Sequence, residues 1–302
     1  MTLLRFPTAV VLATGVLTAQ PSGLQRLLEA DLARFPGRAG VWVKHLTTGE
    51  EAGVRADETF NSASVIKIPV LVIAYQMVEK GTLSLGERIT IRKEDIRGGS
   101  GMFRHLDVGL QPTLGDVLTQ MIITSDNTAT DLAIAKVGGV AAVNAWLEQN
   151  GYAGGMRLTQ TTGELFAKYA ALPQGANRNE KTNADRAYWL GEMTPRVTGR
   201  MLEALQQHTL ASQKASAEMV RVMRAQQAGA RRLPHFVDVP IAHKTGDFPP
   251  VLANDVGIAF ARSGPIVMAF FTNEITGPYG EAEDRIGRAA QVIVQYFDGV
   301  GR

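Results

Sequence analysis

The chain has 302 residues, 45% hydrophobic and 20% charged, the balance of a globular protein with room for a large core and one or two domains. Its 31 basic and 29 acidic side chains are interspersed and leave a net charge of +2, with no basic stripe carrying aromatics, so nucleic acid is not an expected partner. The absence of cysteine excludes disulfides, thiol nucleophiles, cysteine-type zinc sites and lipid-modified cysteines.

Residues 1–19 carry Arg5, then an apolar stretch, then Leu17-Thr18-Ala19, and read as a secretory signal cut near Ala19. The stretch is too short to be a stable membrane anchor, so the mature chain is expected in the periplasm or the medium. From Leu24 to Phe35 apolar residues fall at Leu24, Leu27, Leu28, Leu32 and Phe35, predicting a helix. Val41-Trp42-Val43 and Ala52 to Val54 flank a turn at Thr47-Thr48-Gly49 and predict a hairpin. Residues 63 to 80 predict an apolar helix, and 82 to 225 a helical region with polar loops, among them Gly98 to Gly101. Strand character returns in VPIAHKTG, then in DVGIAFA and IVMAFFT about a turn at Arg262 to Pro265. Ile286, Ala289, Ala290, Ile293, Val294 and Phe297 form a closing helical stripe. Strands at both ends with helices between imply an α+β fold, its sheet built from both termini around an inserted helical part. We expect one domain over 20–302, with a sheet lobe at about 20–60 and 235–302, a helical lobe at about 61–234, and a ligand cleft between them.

Three short motifs carry the chemistry. Ser64 and Lys67 stand three apart at the head of the apolar helix, so hydroxyl and amine share a face. Alone, this also reads as a serine cap followed by a lysine reaching out to water. Ser125-Asp126-Asn127 lies between two helical runs, and Lys244-Thr245-Gly246 lies on a predicted strand. Each has a plain reading, as turn, cap or strand end. Their order and settings together are a different matter, because S-x-x-K, S-D-N and K-T-G form the signature of class A β-lactamases and penicillin-binding proteins.

On these motifs, with GGSG before the second and Met193 to Arg196 (MTPR) later, the chain resembles the class A β-lactamase-like serine hydrolases along nearly all its length after the leader. The resemblance implies an antiparallel sheet of about five strands flanked by terminal helices, beside an all-helical lobe. It implies an acyl-enzyme on Ser64, formed most readily from a β-lactam amide, without metal or cofactor. No histidine stands in a serine-linked motif, and His243, next to Lys244, points to the opposite strand face and reads as structural. Lys67 can then serve as the base if it is neutral, which burial and the charge of Lys244 would favour. In the family scheme Ser125 passes a proton to the departing nitrogen, and Lys244 holds the proton network. Thr245 donates to the substrate carboxylate, and Asn127 orients Lys67 and the substrate amide. The N–H groups of Ser64 and Asp247 form the oxyanion hole. Gly246, without a side chain, lets substrate lie against its strand.

Two parts of the family pattern do not transfer cleanly. The deacylating glutamate should sit in Arg-x-Glu with an asparagine four residues later. Here Arg178-Asn179-Glu180 is followed by Asn183 at three and Ala184 at four. Glu164 and Glu192 are further candidates, and all three read equally as solvated surface carboxylates. No late arginine is placed for the substrate carboxylate either, Arg285 being a distant substitute. The alternatives are therefore an acyl-serine hydrolase of peptidoglycan peptides or esters with poor lactam turnover, and a non-turnover penicillin-binding sensor. A small-molecule substrate and a monomer are expected.

Overall fold

The computed structural model describes residues 22–299; the expected leader at 1–19 lies outside the described residues. Helix α1 (Gly23–Leu32) starts where the Ser22 hydroxyl accepts from the Gln25 N–H at 3.1 Å, and it buries Leu24, Leu28 and Leu32. Strands β1 (Arg38–His45) and β2 (Glu51–Val54) form the first hairpin, followed by a two-residue β3 (Phe60–Asn61). A single 3-10 turn over Ala63–Ile66 then leads into α2 (Lys67–Glu79). Helices α3 (Leu114–Ile123), α4 (Asn127–Lys136) and α5 (Gly139–Gln149), strand β4 (Met156–Leu158), and helices α6 (Thr162–Ala170) and α7 (Arg178–Ala184) follow. Strand β5 (Gly191–Met193), α8 (Pro195–Gln206) and α9 (Gln213–Arg224) complete the middle of the chain. Strands β6 (Ile241–Phe248), β7 (Leu252–Ala261) and β8 (Gly264–Asn273) and the long α10 (Tyr279–Asp298) close it.

The main sheet is antiparallel in the order β2-β1-β8-β7-β6, so strands from the two ends of the chain interleave at β1 and β8. Both faces are covered, which is why β1 and β8 read as continuous apolar runs. Val41, Val43, Met268 and Phe270 pack with Leu24, Leu28, Ile286 and Ile293 of the terminal helices. Trp42, Val267, Ala269 and Phe271 face the opposite way, into the core shared with α2 and α8. Helix α2 is buried all round from Lys67 to Tyr75, as the central helix of the second lobe must be.

The structure adds a small sheet, β3-β5-β4, inside the otherwise helical middle. Strands of two or three residues are too short to show alternation, so sequence periodicity does not reveal them. Strand β6 also runs two residues later than the 239–246 expected, starting only after Pro240, which has no N–H to donate.

Candidate active site

The Ser64 turn, the start of α2 and the edge strand β6 meet at one end of the sheet. Strand β6 is the last of the sheet, and at Gly246 it lies against the Ser64 turn. Gly246 makes that approach possible. A Cβ there would lie 2.5 Å from the Ser62 carbonyl oxygen and 3.1 Å from the Ser64 nitrogen. The expected reason for Gly246, room for substrate, is thus joined by a packing reason: only glycine lets the strand close on the serine turn. Ala63 takes a left-handed φ of 41° just before Ser64, and its N–H is held by Asn61 Oδ1 at 3.0 Å.

Both lysines are fully buried, and they share one hydroxyl. Lys67 Nζ lies 3.1 Å from Ser125 Oγ, 2.8 Å from the Ser125 carbonyl and 3.0 Å from Asn127 Oδ1. Lys244 Nζ lies 3.1 Å from the same Ser125 Oγ and 2.7 Å from the Thr245 carbonyl. Two ammonium ions on one buried hydroxyl would repel each other in a poorly solvated space. Burial, and next the charge of Lys244, hold the Lys67 amine well below the usual lysine range. Burial likewise brings Lys244 down to about 7, against the pull of Asp247 and Asp255 and with the push of Arg232. The lysine face proposed from the spacing of Ser64 and Lys67 is therefore turned inward, and the reading of Lys67 as a solvated surface residue fails. The Ser64 hydroxyl makes no hydrogen bond to Lys67, which instead completes its shell on Ser125 and Asn127.

Ser125 can serve both lysines because its backbone is left-handed, with φ 56°. Asp126, buried, holds that turn from both sides. One oxygen caps α4 at the Ala129 N–H (2.9 Å) and the other accepts from the Phe103 N–H (2.7 Å). The second contact ties down the glycine loop, where Gly101 has φ +114° and leaves only 2.3 Å between a would-be Cβ and the Asp126 carboxylate. Asn127 links the same loop to Lys67, its Nδ2 donating to the Gly98 carbonyl at 2.9 Å.

A cleft of about 430 Å³ opens over Ser64. Its polar lining includes Ser100, Asn127, Thr162 and Asp247, and its apolar wall is Leu165, Phe166, Tyr188, Leu190 and Phe248. Thr245 is absent from it. Strand alternation puts Thr245 on the face opposite Lys244, fully buried beneath Gly229, and its hydroxyl has no partner. Thr245 was expected to donate to a substrate carboxylate, and the lining of the cleft does not include it. His243 shares that face and is bound through Nδ1 to buried Asp255 at 2.9 Å, the structural role read for it.

None of the three glutamates lines the cleft. Glu164 closes a capping box at the start of α6, accepting from the Thr161 N–H at 2.7 Å, and that bond, with the Thr161 hydroxyl, holds its carboxyl below the usual range. The T-x-x-E pattern at 161–164 was a readable sign of this duty. Glu180 is exposed in the first turn of α7, and Glu192 on β5 faces Arg186 at 3.7 Å. The wall of the cleft instead presents Thr162, whose hydroxyl donates to Asp131 at 2.7 Å. Asp131 is itself paired with Arg97 Nε at 2.7 Å. Arg285 lies away from the cleft on α10, 3.5 Å from Glu281. The arginine next to the cleft is Arg232, which is buried and bonded to Asp247, to Glu283 (2.9 Å) and to the Asn254 carbonyl (2.8 Å). No sequence signal marked it, because a second arginine in ARRLP looks like any surface charge. Among the described residues no cluster of histidine, aspartate and glutamate has the arrangement to hold a metal ion.

A serine-bearing turn, a lysine pair on a second serine and an apolar cleft beside them are the arrangement of a serine hydrolase. Comparison with known proteins agrees. The chain belongs to the β-lactamase enzyme family, whose model matches residues 23–297. It is 30% identical over 175 residues to the β-lactamase L2 of Stenotrophomonas maltophilia, a match over 58% of this chain and 55% of that protein. The β-lactamase of Mycobacterium tuberculosis is 27% identical over 280 residues, 88% of this chain and 85% of that protein. Among solved structures, the β-lactamase from Sphaerobacter thermophilus superposes with a TM-score of 0.77 at 28% identity, covering 92% of this chain and 97% of that one.

Proposed function

We propose that the chain is an exported enzyme that opens the β-lactam amide through an acyl-enzyme on Ser64. The observation that carries this reading is the Ser125 hydroxyl shared at 3.1 Å by two fully buried lysines. A neutral Lys67 amine takes the Ser64 proton as Oγ adds to the carbonyl carbon. The N–H groups of Ser64 and Asp247 receive the charge on the carbonyl oxygen. Lys67 passes the proton to Ser125, and Ser125 delivers it to the lactam nitrogen as the C–N bond breaks. Lys244 keeps the Ser125 hydroxyl oriented, and Asn127 holds Lys67. Water then cleaves the Ser64 ester and restores the hydroxyl. Export to the periplasm or the medium is supported by the leader-like residues 1–19. No helix among the described residues is long and apolar enough to cross a membrane.

A second reading concerns the last step. The wall facing Ser64 carries Thr162 and apolar side chains, and its one carboxylate, Asp247, is engaged by Arg232. Such a wall favours slow deacylation, as in a hydrolase of peptidoglycan peptides or esters, or a sensor that stays acylated. Intact-mass spectrometry with a penicillin tests the first step: an adduct is expected on the parent and none on Ser64→Ala. A chromogenic cephalosporin then separates a burst of one equivalent from sustained turnover. Equal labelling of Ser64→Ala would overturn the nucleophile assignment.

A further inference from the structure

One polar side chain in the cleft has no duty in the acylation scheme. Asn61, three residues before Ser64, lines the cleft and is only 3% exposed. Its main-chain N–H donates to Asn273 Oδ1 at 3.2 Å, its carbonyl accepts from Asn254 Nδ2 at 2.8 Å, and its Oδ1 accepts from the Ala63 N–H at 3.0 Å. A main-chain N–H can only donate, so the last bond fixes which end of the amide is oxygen and turns Nδ2 the other way. Nδ2 has no hydrogen-bond partner among the described residues. Antiparallel pairing of Asn61 with Glu192 puts its side chain on the strand face that Leu190, another residue of the cleft lining, continues. The other amide of the lining, Asn127, is bonded at both ends, to Lys67 and to the Gly98 carbonyl, and the Thr162 hydroxyl is bonded to Asp131. The apolar wall is braced: Phe248 stacks on Tyr169 with ring centroids 5.4 Å apart, and the Arg178 guanidinium lies 4.6 Å from the Tyr169 ring.

A buried donor in an apolar wall penalises any ligand that covers it without supplying an acceptor. We propose that Asn61 is a specificity-determining residue: its Nδ2 donates to an acceptor oxygen on the acyl group of the substrate, whose apolar remainder lies against Tyr188, Leu190 and Phe248. The substrate class is then an acyl donor with an apolar side chain that carries an oxygen. The inference rests on Ser64 being the acylated nucleophile. Asn61 selects among acyl groups and takes no part in the proton transfers.

Penicillins matched in shape, with an oxygen in one member of each pair, provide the test: phenoxyacetyl against phenylpropanoyl, and benzoylpropanoyl against phenylbutanoyl. Acylation of Ser64 is followed by intact mass to give a second-order rate constant for each. In the parent the oxygen-bearing member of at least one pair is expected to acylate roughly three- to tenfold faster, the worth of one neutral hydrogen bond. Asn61→Asp keeps an oxygen for the Ala63 N–H and replaces the donor by an acceptor, so the preference should vanish or reverse. Both members share one nucleus and one carboxylate, so the added charge cancels in their ratio. Asn61→Ala should level the ratio as well, even where the turn is disturbed and both rates fall. A preference that Asn61→Asp keeps, or no preference in either pair, would overturn the proposal. Binding of the same compounds to Ser64→Ala, with and without Asn61→Asp, reads the preference without any acyl step. Equal binding within both pairs there overturns the proposal whatever Ser64 does. Absence of adducts on the parent, with the oxygen preference kept in binding and abolished by Asn61→Asp, would instead overturn the nucleophile assignment alone.

Discussion

Gly246→Ala is the sharpest single perturbation of this site, because it adds one methyl group where two backbone segments touch. The new Cβ would lie 2.5 Å from the Ser62 carbonyl oxygen, short of ordinary contact by about 1 Å, and 3.1 Å from both the Ser64 nitrogen and Val65 Cγ2. Two of these three neighbours are backbone atoms of the serine turn and cannot rotate away, so the turn or the strand must retreat. Misplacing a reacting group by about 1 Å can cost on the order of 10²-fold in rate, and overpacking a tight site costs roughly 1–3 kcal/mol of stability. We expect Gly246→Ala to acylate about 10²-fold more slowly while remaining folded. Acylation would be read by intact mass at fixed penicillin concentration and stability by urea denaturation. Gly154→Ala, which meets nothing within 4 Å, is the control and should match the parent. Parent-like acylation and stability in Gly246→Ala would refute the close approach of β6 to the Ser64 turn.

Lys67→Arg keeps the charge but cannot yield a neutral base, so acylation should fall by roughly two to four orders of magnitude, and an unchanged rate would make Lys67 a structural charge only. Glu180→Gln should leave the clearance of the acyl-enzyme unchanged in a stopped-flow deacylation assay, since Glu180 is exposed and outside the cleft. Accumulation of acyl-enzyme in that variant would return Glu180 to the mechanism. The last expectation follows from Lys244, brought from 10.5 to about 7 by burial. Between those values the unfolded chain holds a proton that the folded chain lacks, so stability rises with pH across the window and the charge penalty is fully felt below it. The parent's unfolding free energy should therefore climb between pH 7 and 9 more steeply than that of Lys244→Met, by roughly 1 kcal/mol per pH unit. Equal slopes in denaturant titrations would show that Lys244 keeps its proton throughout.

Much of this protein is determined locally and is therefore legible in its sequence. The stripes of α1 and α10 and the apolar runs of β1, β7 and β8 follow from which faces are buried, a property each segment carries by itself. The three motifs are legible as well, since Ser64 with Lys67, Ser125 with Asn127, and Lys244 with Gly246 are each fixed by a few residues of chain. Tertiary structure decided everything that depends on two distant segments meeting. Residues 119 apart put Lys244 on Ser125, and 15 residues separate Arg232 from the Asp247 it binds. Spacing within a loop could not say that Glu164 would be consumed by a helix cap or that Glu180 would face water. The strand that turns Lys244 to Ser125 also turns Thr245 beneath Gly229, and only the packing of that loop on β6 shows it. A side chain's type is local, but its partner, its burial and hence its charge state belong to the assembled fold.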